Sequence, residues 1–337
     1  MLQCRNTDLV ELVKIGSSVN FAGLKDAPYL SLLKKHFTYW YPDCGLSWRG
    51  RNDSDEPDKN KKFRECYQLA KTLGKKIRIN NLTSATNKIV IGIPAEKEIM
   101  RHRESVMGEF NGDYDCVHET LDDNGSLRKC PWRFALGYGW QEKILLWAKE
   151  INPESRLFYC DYFRTEAKWA GAYQMVSGWI NAGIPIDGIS IQLHSNLIPL
   201  LNLKRAEYWM RKFKDLGLII HVPEIVVWQP AVSVDLNKLK GKSSLHKEIL
   251  RKGGGDFLLT FANVERLQQR MYERIVDTCY RVQAEMIGFW SAFDSYPWNW
   301  VGNRAKAGLW DINYHPKKAF SCLPSNSCER SRHVVSY

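Results

Sequence analysis

Two glutamates stand where a carboxylate is costly unless it has a purpose. Glu224 interrupts the apolar, β-branched run 218–227, and Glu119 ends the shorter strand-like segment 114–119. Apolar runs of this kind are typical of strands that are buried on both faces. A carboxylate inside such a strand is destabilising unless it has partners or faces a solvated opening. Each glutamate is therefore either paired structurally or kept for chemistry.

Three further side chains at strand ends could work with these carboxylates. Gln192 and His194 close the strand-like segment 187–194, and Trp290 closes 286–290. If the strand ends meet, the set suits hydrolysis of a glycosidic bond, because one carboxyl can protonate the leaving oxygen while the other attacks the anomeric carbon. The indole ring would offer a stacking face for a sugar. Taken singly, each residue is more often structural, so the interpretation depends on their meeting in one cleft.

The elements that must position these residues alternate regularly along the chain. Eight short strand-like segments are separated by helix-like ones, with no Gly/Ser-rich linker between them. Repeated βα units favour a (β/α)8 TIM barrel over an open doubly wound sheet, in which a Gly-rich phosphate turn would follow the first strand. The eight segments are 14–19, 36–42, 76–82, 114–119, 156–162, 187–194, 218–227 and 286–290.

The predicted barrel is a single domain spanning 1–337, with its core at 15–320 and a short tail at 321–337. Residues 52–62 are polar and predict a surface loop, followed by a helix over 61–73. The Lys- and Gly-rich stretch 233–257 predicts an insertion or a mobile loop. In such a barrel the C-terminal ends of all strands face one mouth, which would bring the residues described above together.

Composition excludes several classes of function. The 337 residues are 44% hydrophobic and 25% charged, as in globular proteins, and no apolar run approaches the roughly 18–20 residues needed to cross a membrane. The net charge of +11 comes from Lys and Arg spread along the chain, without a nucleic-acid motif, so it indicates a basic solvated surface. We expect neither nucleic acid nor membrane as a partner. From the composition of the N-terminal segment we expect no signal peptide in the chain as written.

No metal or cofactor is expected from the spacing of potential ligands. The eight histidines show neither HExxH nor paired His/Cys spacing, and no dinucleotide fingerprint is present. The nine cysteines are odd in number and lack a CxxC pair, so a full disulfide framework is not expected, although Cys322 and Cys328 could pair. Cys116 and Cys160 fall inside strand-like segments and are predicted to be small buried hydrophobes.

Four segments of the chain, 15–20, 123–128, 183–194 and 308–320, together resemble glycoside hydrolase family 10, the endo-β-1,4-xylanases. The stretch 183–194, GIPIDGISIQLH, is close to the family's PIDG signature followed by a strand ending in Q-x-H. Residues 15–20, IGSSVN, resemble its opening strand, and 123–128, DNGSLR, the segment after its acid/base strand. Residues 308–320, GLWDINYHPKKAF, resemble its closing LFD-x-x-Y-x-PK-x-A-Y segment. The segments occur in order and with the family's spacing, so the resemblance covers about 15–320.

The resemblance implies a role for each glutamate. Val117-His118-Glu119 stands where the family has V-N-E, which makes Glu119 the general acid/base, and Glu224 stands at the nucleophile of a T-E-L-D strand. Members of the family retain anomeric configuration, which implies carboxyl groups about 5–5.5 Å apart. In that mechanism Glu119 needs a raised pKa, whereas Glu224 has to stay ionised.

Sugar-binding positions are only partly kept. The family's E-N-x-x-K-W reads DCGLSW at 43–48, and its G-H-x-L-x-W-H reads INNLTSA at 79–85, so Cys44, Ser47 and Ser84 replace side chains that grip sugar. Val226 replaces the aspartate that would support the histidine of Q-x-H. The predicted substrate-binding residues, taken from family positions and from rings able to stack on sugar, are Asp43, Asn80, His118, Gln192, His194, Trp290 and Trp298.

Two functions fit these residues. The first is a monomeric, retaining endo-β-1,4-glycanase that hydrolyses xylan or a related β-linked polysaccharide and has altered glycone-side binding. The second is a catalytically weakened relative that binds carbohydrate. Retention of both glutamates favours the first, because a pure binder has no need of two carboxylates at one site. Loss of the sugar-gripping side chains favours the second, because remote contacts position the substrate for catalysis.

Overall fold

A closed parallel barrel is the centre of the structure. The computed structural model describes residues 13–42, 46, 57–86, 96–196, 202–229, 261–296 and 306–323. Eight strands pair in chain order, and the eighth closes on the first. The predicted TIM barrel is thus confirmed. The strands are β1 Lys14–Val19, β2 Tyr39–Pro42, β3 Lys76–Ile79, β4 Asp113–His118, β5 Arg156–Tyr162, β6 Gly188–Asn196, β7 Ile219–Trp228 and β8 Met286–Phe289.

Helices connect successive strands in the described part of the chain. They are α1 Ala27–His36, α2 Pro57–Thr72, α3 Glu96–Met107, α4 Pro131–Leu136, α5 Trp140–Ile151, α6 Glu166–Asn181, α7 Leu203–Asp215 and α8 Phe261–Arg281. The loop prediction is wrong for 57–62, because α2 starts at a proline, whose fixed φ suits the first turn of a helix. The short α4 was not predicted and also begins at a proline.

Local signals explain where the helices beside the site begin and end. The Thr165 hydroxyl accepts a hydrogen bond from the backbone N–H of Lys168 and caps α6, and Asn202 caps α7 in the same way through Arg205. Both helices are followed by a glycine at positive φ, Gly183 at 71° and Gly217 at 82°. Other residues are strained in that conformation, which is why these two glycines predict the helix ends well.

Apolar side chains form two separate layers. A large cluster lies between the barrel and the helices and includes Trp132, Trp169 and Ile144. A smaller cluster contains residues from β2, β7 and β8 and packs within the barrel. Its members are Tyr39, Tyr41, Val226, Met286, Trp290 and Ala307, with Trp228 packed against them.

The rest of the barrel interior is charged. The guanidinium of Arg78 on β3 donates a 2.7 Å hydrogen bond to Asp115 on β4 and another of 2.7 Å to Nδ1 of His221 on β7. It also donates to the hydroxyl of Ser190 on β6. Burial and the adjacent guanidinium lower the pKa of His221 to about 4, although Glu285 opposes the shift. The imidazole is therefore neutral at neutral pH, with Nδ1 free to accept from Arg78.

A second group of charges closes the N-terminal end of the barrel. Arg156, at the start of β5, donates hydrogen bonds to Asp113 on β4 at 2.7 Å and to Glu285 just before β8 at 3.1 Å. Lys14 on β1 pairs with the same Glu285. These ion pairs link β1, β4, β5 and the residue before β8. The N-terminal end of the barrel is therefore filled by charged side chains rather than by apolar ones.

Strands β4 and β7 each carry one extra residue. Glu119 directly follows β4, and Glu224 lies within β7 after the extra residue. The pairing of β4 with β5 shifts by one residue after Asp115, and the pairing of β7 with β8 shifts after Val222. Side chains three residues apart normally face opposite sides of a strand. The bulges allow both Asp115 and His118 to point into the barrel, and likewise both His221 and Glu224.

Several predictions lie outside the described residues. These include the substrate-binding residues Asp43 and Trp298, the stretch 233–257 and most of the tail. Within the described residues, no helix has the length and apolar character that a membrane span requires. The extent of the single domain stays a prediction.

The buried ion network yields a prediction about stability. We expect Arg78→Met to lower the free energy of unfolding by about 3–5 kcal/mol, because it leaves the Asp115 carboxylate buried without its partner. The side chains of Arg78 and Asp115 are each 1% exposed. Chemical denaturation followed by tryptophan fluorescence measures the change.

Arg64→Met is the matched control for that experiment. The Arg64 and Glu109 side chains form an ion pair on the surface and are 50% and 36% exposed. Losing this pair should cost less than about 1 kcal/mol. Equal effects of the two substitutions would contradict a structural role for the buried network.

Candidate active site

Glu119 lies immediately after β4 in a strained backbone conformation. Its φ is 52°, in the left-handed region, which costs a non-glycine residue roughly 1–2 kcal/mol. The backbone N–H of Glu119 donates a 2.8 Å hydrogen bond to the carbonyl of Cys160 on β5, which fixes this turn. The hydrogen bonds of the sheet hold Glu119 in this conformation. The conformation directs the Glu119 carboxylate into the mouth of the barrel.

Both carboxylate oxygens of Glu119 accept hydrogen bonds. The hydroxyl of Thr86 donates to Oε2 at 2.9 Å, and the amide of Gln192 lies 3.2 Å from Oε1. Burial alone would raise the pKa of Glu119, but the nearby His118 and these two donors lower it below its usual value. The expectation of a raised pKa is therefore wrong for the free protein, because the donors stabilise the charged form.

Glu224 is the more buried of the two glutamates. Its side chain is 5% exposed, against 18% for Glu119. His194 Nε2 lies 3.3 Å from its Oε2, so the histidine contacts the carboxylate even though Val226 replaces the supporting aspartate. Glu224 is also paired in register with Gln192 on the neighbouring β6. The Glu224 carboxylate therefore lies beside the His194 imidazole and close to Gln192, whose amide contacts Glu119.

Gln192 connects the two halves of the site. Its amide nitrogen lies 3.0 Å from His118 Nε2, 3.2 Å from Glu119 Oε1 and 3.7 Å from Cys160 Sγ. His118 is held from its other side by Ser84, whose hydroxyl is 3.2 Å from Nδ1. A chain of contacts therefore runs across the mouth from β3 through β4 to β6.

The segment after β3 reaches the site because it continues to pair with β4. Ser84 bridges His118, and the backbone N–H of Ala85 donates to the carbonyl of His118 at 3.0 Å. The Ser84 hydroxyl then lies 2.8 Å from that of Thr86. Thr86 thereby reaches Glu119 although it is not in a regular strand. No sequence pattern singled Thr86 out.

Trp290 follows β8 and stacks on Tyr41. Their ring centroids are 5.7 Å apart and the rings are inclined by 19°. Tyr41 is fully buried, and burial together with the charge of Glu224 raises its pKa well above the usual range. Because Tyr41 covers one face of the indole, only the opposite face could meet a sugar.

The structure brings together most of the predicted site. Glu119, Glu224, Gln192, His194 and His118 meet through the contacts described above. Asn80 follows β3 at the same end of the barrel and is buried; within the described part of the chain its Oδ1 has no hydrogen-bond partner.

Cys160 is fully buried, as predicted, and so is Cys116. Cys160, however, points at Gln192 and into the site rather than into the apolar layer. Its place in an apolar strand concealed this, because the sequence alone does not show which face of β5 turns inward.

Known proteins resemble this chain over most of its length. The sequence model described as glycosyl hydrolase family 10 matches residues 9–325. A β-1,4-xylanase of Dictyoglomus thermophilum is 27% identical over 323 residues, which cover 91% of this chain and 86% of that protein. Endo-1,4-beta-xylanase B of Thermotoga neapolitana is 27% identical over 324 residues, covering 90% and 85%.

Solved structures share the fold. A GH10 endoxylanase from a sugarcane soil metagenome superposes with a TM-score of 0.77 at 20% identity, covering 93% of this chain and 97% of that one. Xylanase 10B of Thermotoga petrophila, solved in complex with xylobiose, gives a TM-score of 0.76 at 22% identity, with coverage of 96% and 97%. The matched residues include the whole described barrel with both glutamates at its mouth, and the protein is therefore a glycoside hydrolase that belongs to glycosyl hydrolase family 10.

Proposed function

We propose that the protein is a monomeric, retaining endo-β-1,4-glycanase that hydrolyses xylan or a related β-linked polysaccharide by double displacement. The observation that carries the proposal is the meeting of Glu119 and Glu224 at the barrel mouth, with Gln192 between them. The curated relatives are named as β-1,4-xylanases, and a structure with the same fold holds xylobiose, which supports a β-linked xylan chain as the substrate.

Glu224 is the proposed nucleophile. Its carboxylate would attack the anomeric carbon and form a covalent glycosyl–enzyme intermediate, which water then hydrolyses. The contact with His194 at 3.3 Å restricts the carboxylate to a defined orientation. Positioning of this kind contributes to the rate because the reacting atoms are held close before reaction.

Glu119 is the proposed general acid/base. In the free protein Thr86 and Gln192 supply hydrogen bonds to both oxygens, and these favour the ionised form. A bound glycosidic oxygen would have to replace one of these donors, and a filled cleft would exclude water. Both changes favour the protonated form that donates to the leaving group. Substrate binding would therefore raise the pKa of Glu119 toward the value that the acid step needs.

The glycone side is rebuilt with small polar residues. Ser84, which stands where the resemblance expects tryptophan, places its hydroxyl 3.2 Å from His118 Nδ1 and 2.8 Å from the hydroxyl of Thr86. His118 Nε2 and the buried amide oxygen of Asn80 offer hydrogen-bonding groups in place of the family's side chains. A β-linked sugar bound here would meet hydrogen-bonding groups where the family presents an indole ring, so the preference among sugars should differ from that of the xylanase relatives.

The second candidate is a carbohydrate-binding protein with weak turnover. The loss of the family's sugar-binding side chains at Cys44, Ser47 and Ser84 favours this reading, because such contacts position the substrate for catalysis.

Hydrolysis of a panel of β-1,4-linked xylo-, gluco- and mixed-linkage oligosaccharides separates the two candidates, with Glu224→Gln as control. An enzyme cleaves at least one member and loses cleavage in Glu224→Gln while still binding. Binding without cleavage in the unsubstituted protein would contradict the glycanase. Proton NMR of the first product should show retained β-configuration, and an inverted product would exclude double displacement.

The roles of the glutamates make a direct prediction. Glu119→Ala and Glu224→Ala should each lower kcat/KM for xylo-oligosaccharides by a factor of at least roughly 10²–10⁴, because each removes a group that acts in the transition state. Steady-state kinetics measure the loss. Glu150→Ala, an exposed position on α5, is the matched control and should keep full activity. Full activity in either active-site variant would exclude the assigned role.

Thr86 should influence how Glu119 titrates. We expect Thr86→Val to raise the pKa of Glu119, because it removes a 2.9 Å hydrogen bond that stabilises the carboxylate. The alkaline limb of the kcat/KM profile, which reports the acid of the free enzyme, should move to higher pH. Thr72→Val, on exposed α2, is a control with the same change of side chain. An unchanged alkaline limb in Thr86→Val would show that this contact does not tune the acid.

A further inference from the structure

Three potential metal ligands converge beside the proposed nucleophile. They are His118 at the end of β4, Cys160 on β5 and Glu224 on β7, and all three are buried. One nitrogen, the thiol sulfur and one carboxylate oxygen lie within 4.8 Å of one another. The three residues come from three different strands, so no short spacing in the sequence brings them together. The expectation of no metal rests on such spacings alone.

The donor set is one that suits zinc. Imidazole nitrogen, thiolate sulfur and carboxylate oxygen are all common ligands of Zn²⁺, and softer thiolate donors favour it over Mg²⁺ and Ca²⁺. A tetrahedral zinc ion holds such donors roughly 3.4–3.6 Å apart. From separations of up to 4.8 Å, the side chains would have to close by roughly 1 Å, within the reach of side-chain rotation. Three protein ligands leave one coordination position open.

The potential acceptors around the Gln192 amide nitrogen outnumber the hydrogens that it can donate. Its amide nitrogen faces three acceptors at once: His118 Nε2, Glu119 Oε1 and Cys160 Sγ. An amide group has only two hydrogens to donate, so Gln192 cannot donate to all three groups at once. A cation would satisfy them better. The Gln192 side chain would move aside for it or turn its oxygen toward the ion.

We propose that His118, Cys160 and Glu224 bind one Zn²⁺ ion, and that the bound ion inhibits the hydrolase by occupying the carboxylate of Glu224. Binding of the ion does not depend on the proposed function; inhibition rests on it. The ion would compete with the substrate for the nucleophile, since a carboxylate that coordinates zinc cannot attack the anomeric carbon.

Binding requires a proton to leave the site. Burial and the negative charges of Asp115 and Glu224 raise the pKa of the Cys160 thiol, which is protonated in the free protein. As the S–Zn bond forms, the S–H bond breaks and the proton passes to solvent. The same low-dielectric surroundings that disfavour a lone thiolate strengthen its attraction to a divalent cation.

Titration of the full chain with Co²⁺, a spectroscopic substitute for Zn²⁺, tests the site without reference to activity. We expect one Co²⁺ per chain, a thiolate-to-cobalt charge-transfer band in the near ultraviolet, and loss of the band on adding Zn²⁺. Cys160→Ser should abolish the band and weaken Zn²⁺ binding at least about 10-fold. Cys279→Ser replaces an equally buried cysteine on α8, away from the site, and should leave both unchanged.

Inhibition is tested on xylo-oligosaccharide hydrolysis. Zn²⁺ should inhibit the unsubstituted protein reversibly, with recovery on adding a chelator, and the ratio of activities with and without Zn²⁺ should approach one in Cys160→Ser. If that variant does not fold, His118→Asn serves in both assays, because it replaces the imidazole ligand with a polar amide that also fits the site. Absence of the band, or a band and Zn²⁺ affinity unchanged in the folded variants, would overturn the site. If no oligosaccharide is hydrolysed, the proposed function fails while the cobalt spectra still decide the zinc site.

Discussion

The alternation of side chains along a β-strand is the constraint on which this site depends. In a regular strand Asp115 and His118 would face opposite sides, as would His221 and Glu224. One extra residue in β4 and one in β7 remove that conflict, so each of these two strands contributes both a polar group deep in the barrel and a group at the mouth. β6, which contributes Gln192 and His194, needs no such bulge between them because those residues are two apart. The geometry of the site is thus a property of the sheet.

The charged layers beneath the mouth give these strands a fixed relation. Arg78 contacts residues on β4, β6 and β7, three of the strands that carry the site. Its guanidinium also holds His221 as the neutral tautomer that accepts at Nδ1. An apolar interior of the same volume would tolerate small shifts between strands, whereas directed hydrogen bonds to a buried cation do not. A buried ion network adds little stability over a well-packed apolar interior, although removing a single partner is costly, and its advantage is that it fixes the positions of the strands.

The sequence predicted the barrel and predicted that residues at the strand ends would lie together at one mouth, and each of these two results has a physical reason. The eight alternating segments were recognised from hydrophobic periodicity, which is a local property of the sequence. Their C-terminal ends lie together because all parallel strands of a barrel end at the same mouth. The features that the sequence did not predict depend on which face of a strand a side chain occupies and on contacts between residues that are distant in sequence. Thr86 lies in an irregular segment, Cys160 lies in an apolar strand whose inner face is not marked, and the pKa of Glu119 depends on donors distant in sequence. Such contacts are set by register and bulges, which a linear pattern does not encode.

The left-handed backbone of Glu119 bears on how this chain has evolved. At φ 52° a glycine would be relaxed and an asparagine nearly so, whereas glutamate is not. Random substitution at this position therefore offers variants that fold more favourably and have lost the carboxylate. A lineage selected only for folding or for sugar recognition would drift toward them. Selection for the proposed chemistry of this carboxylate, rather than for folding alone, would maintain a strained glutamate here, where glycine or asparagine would be relaxed.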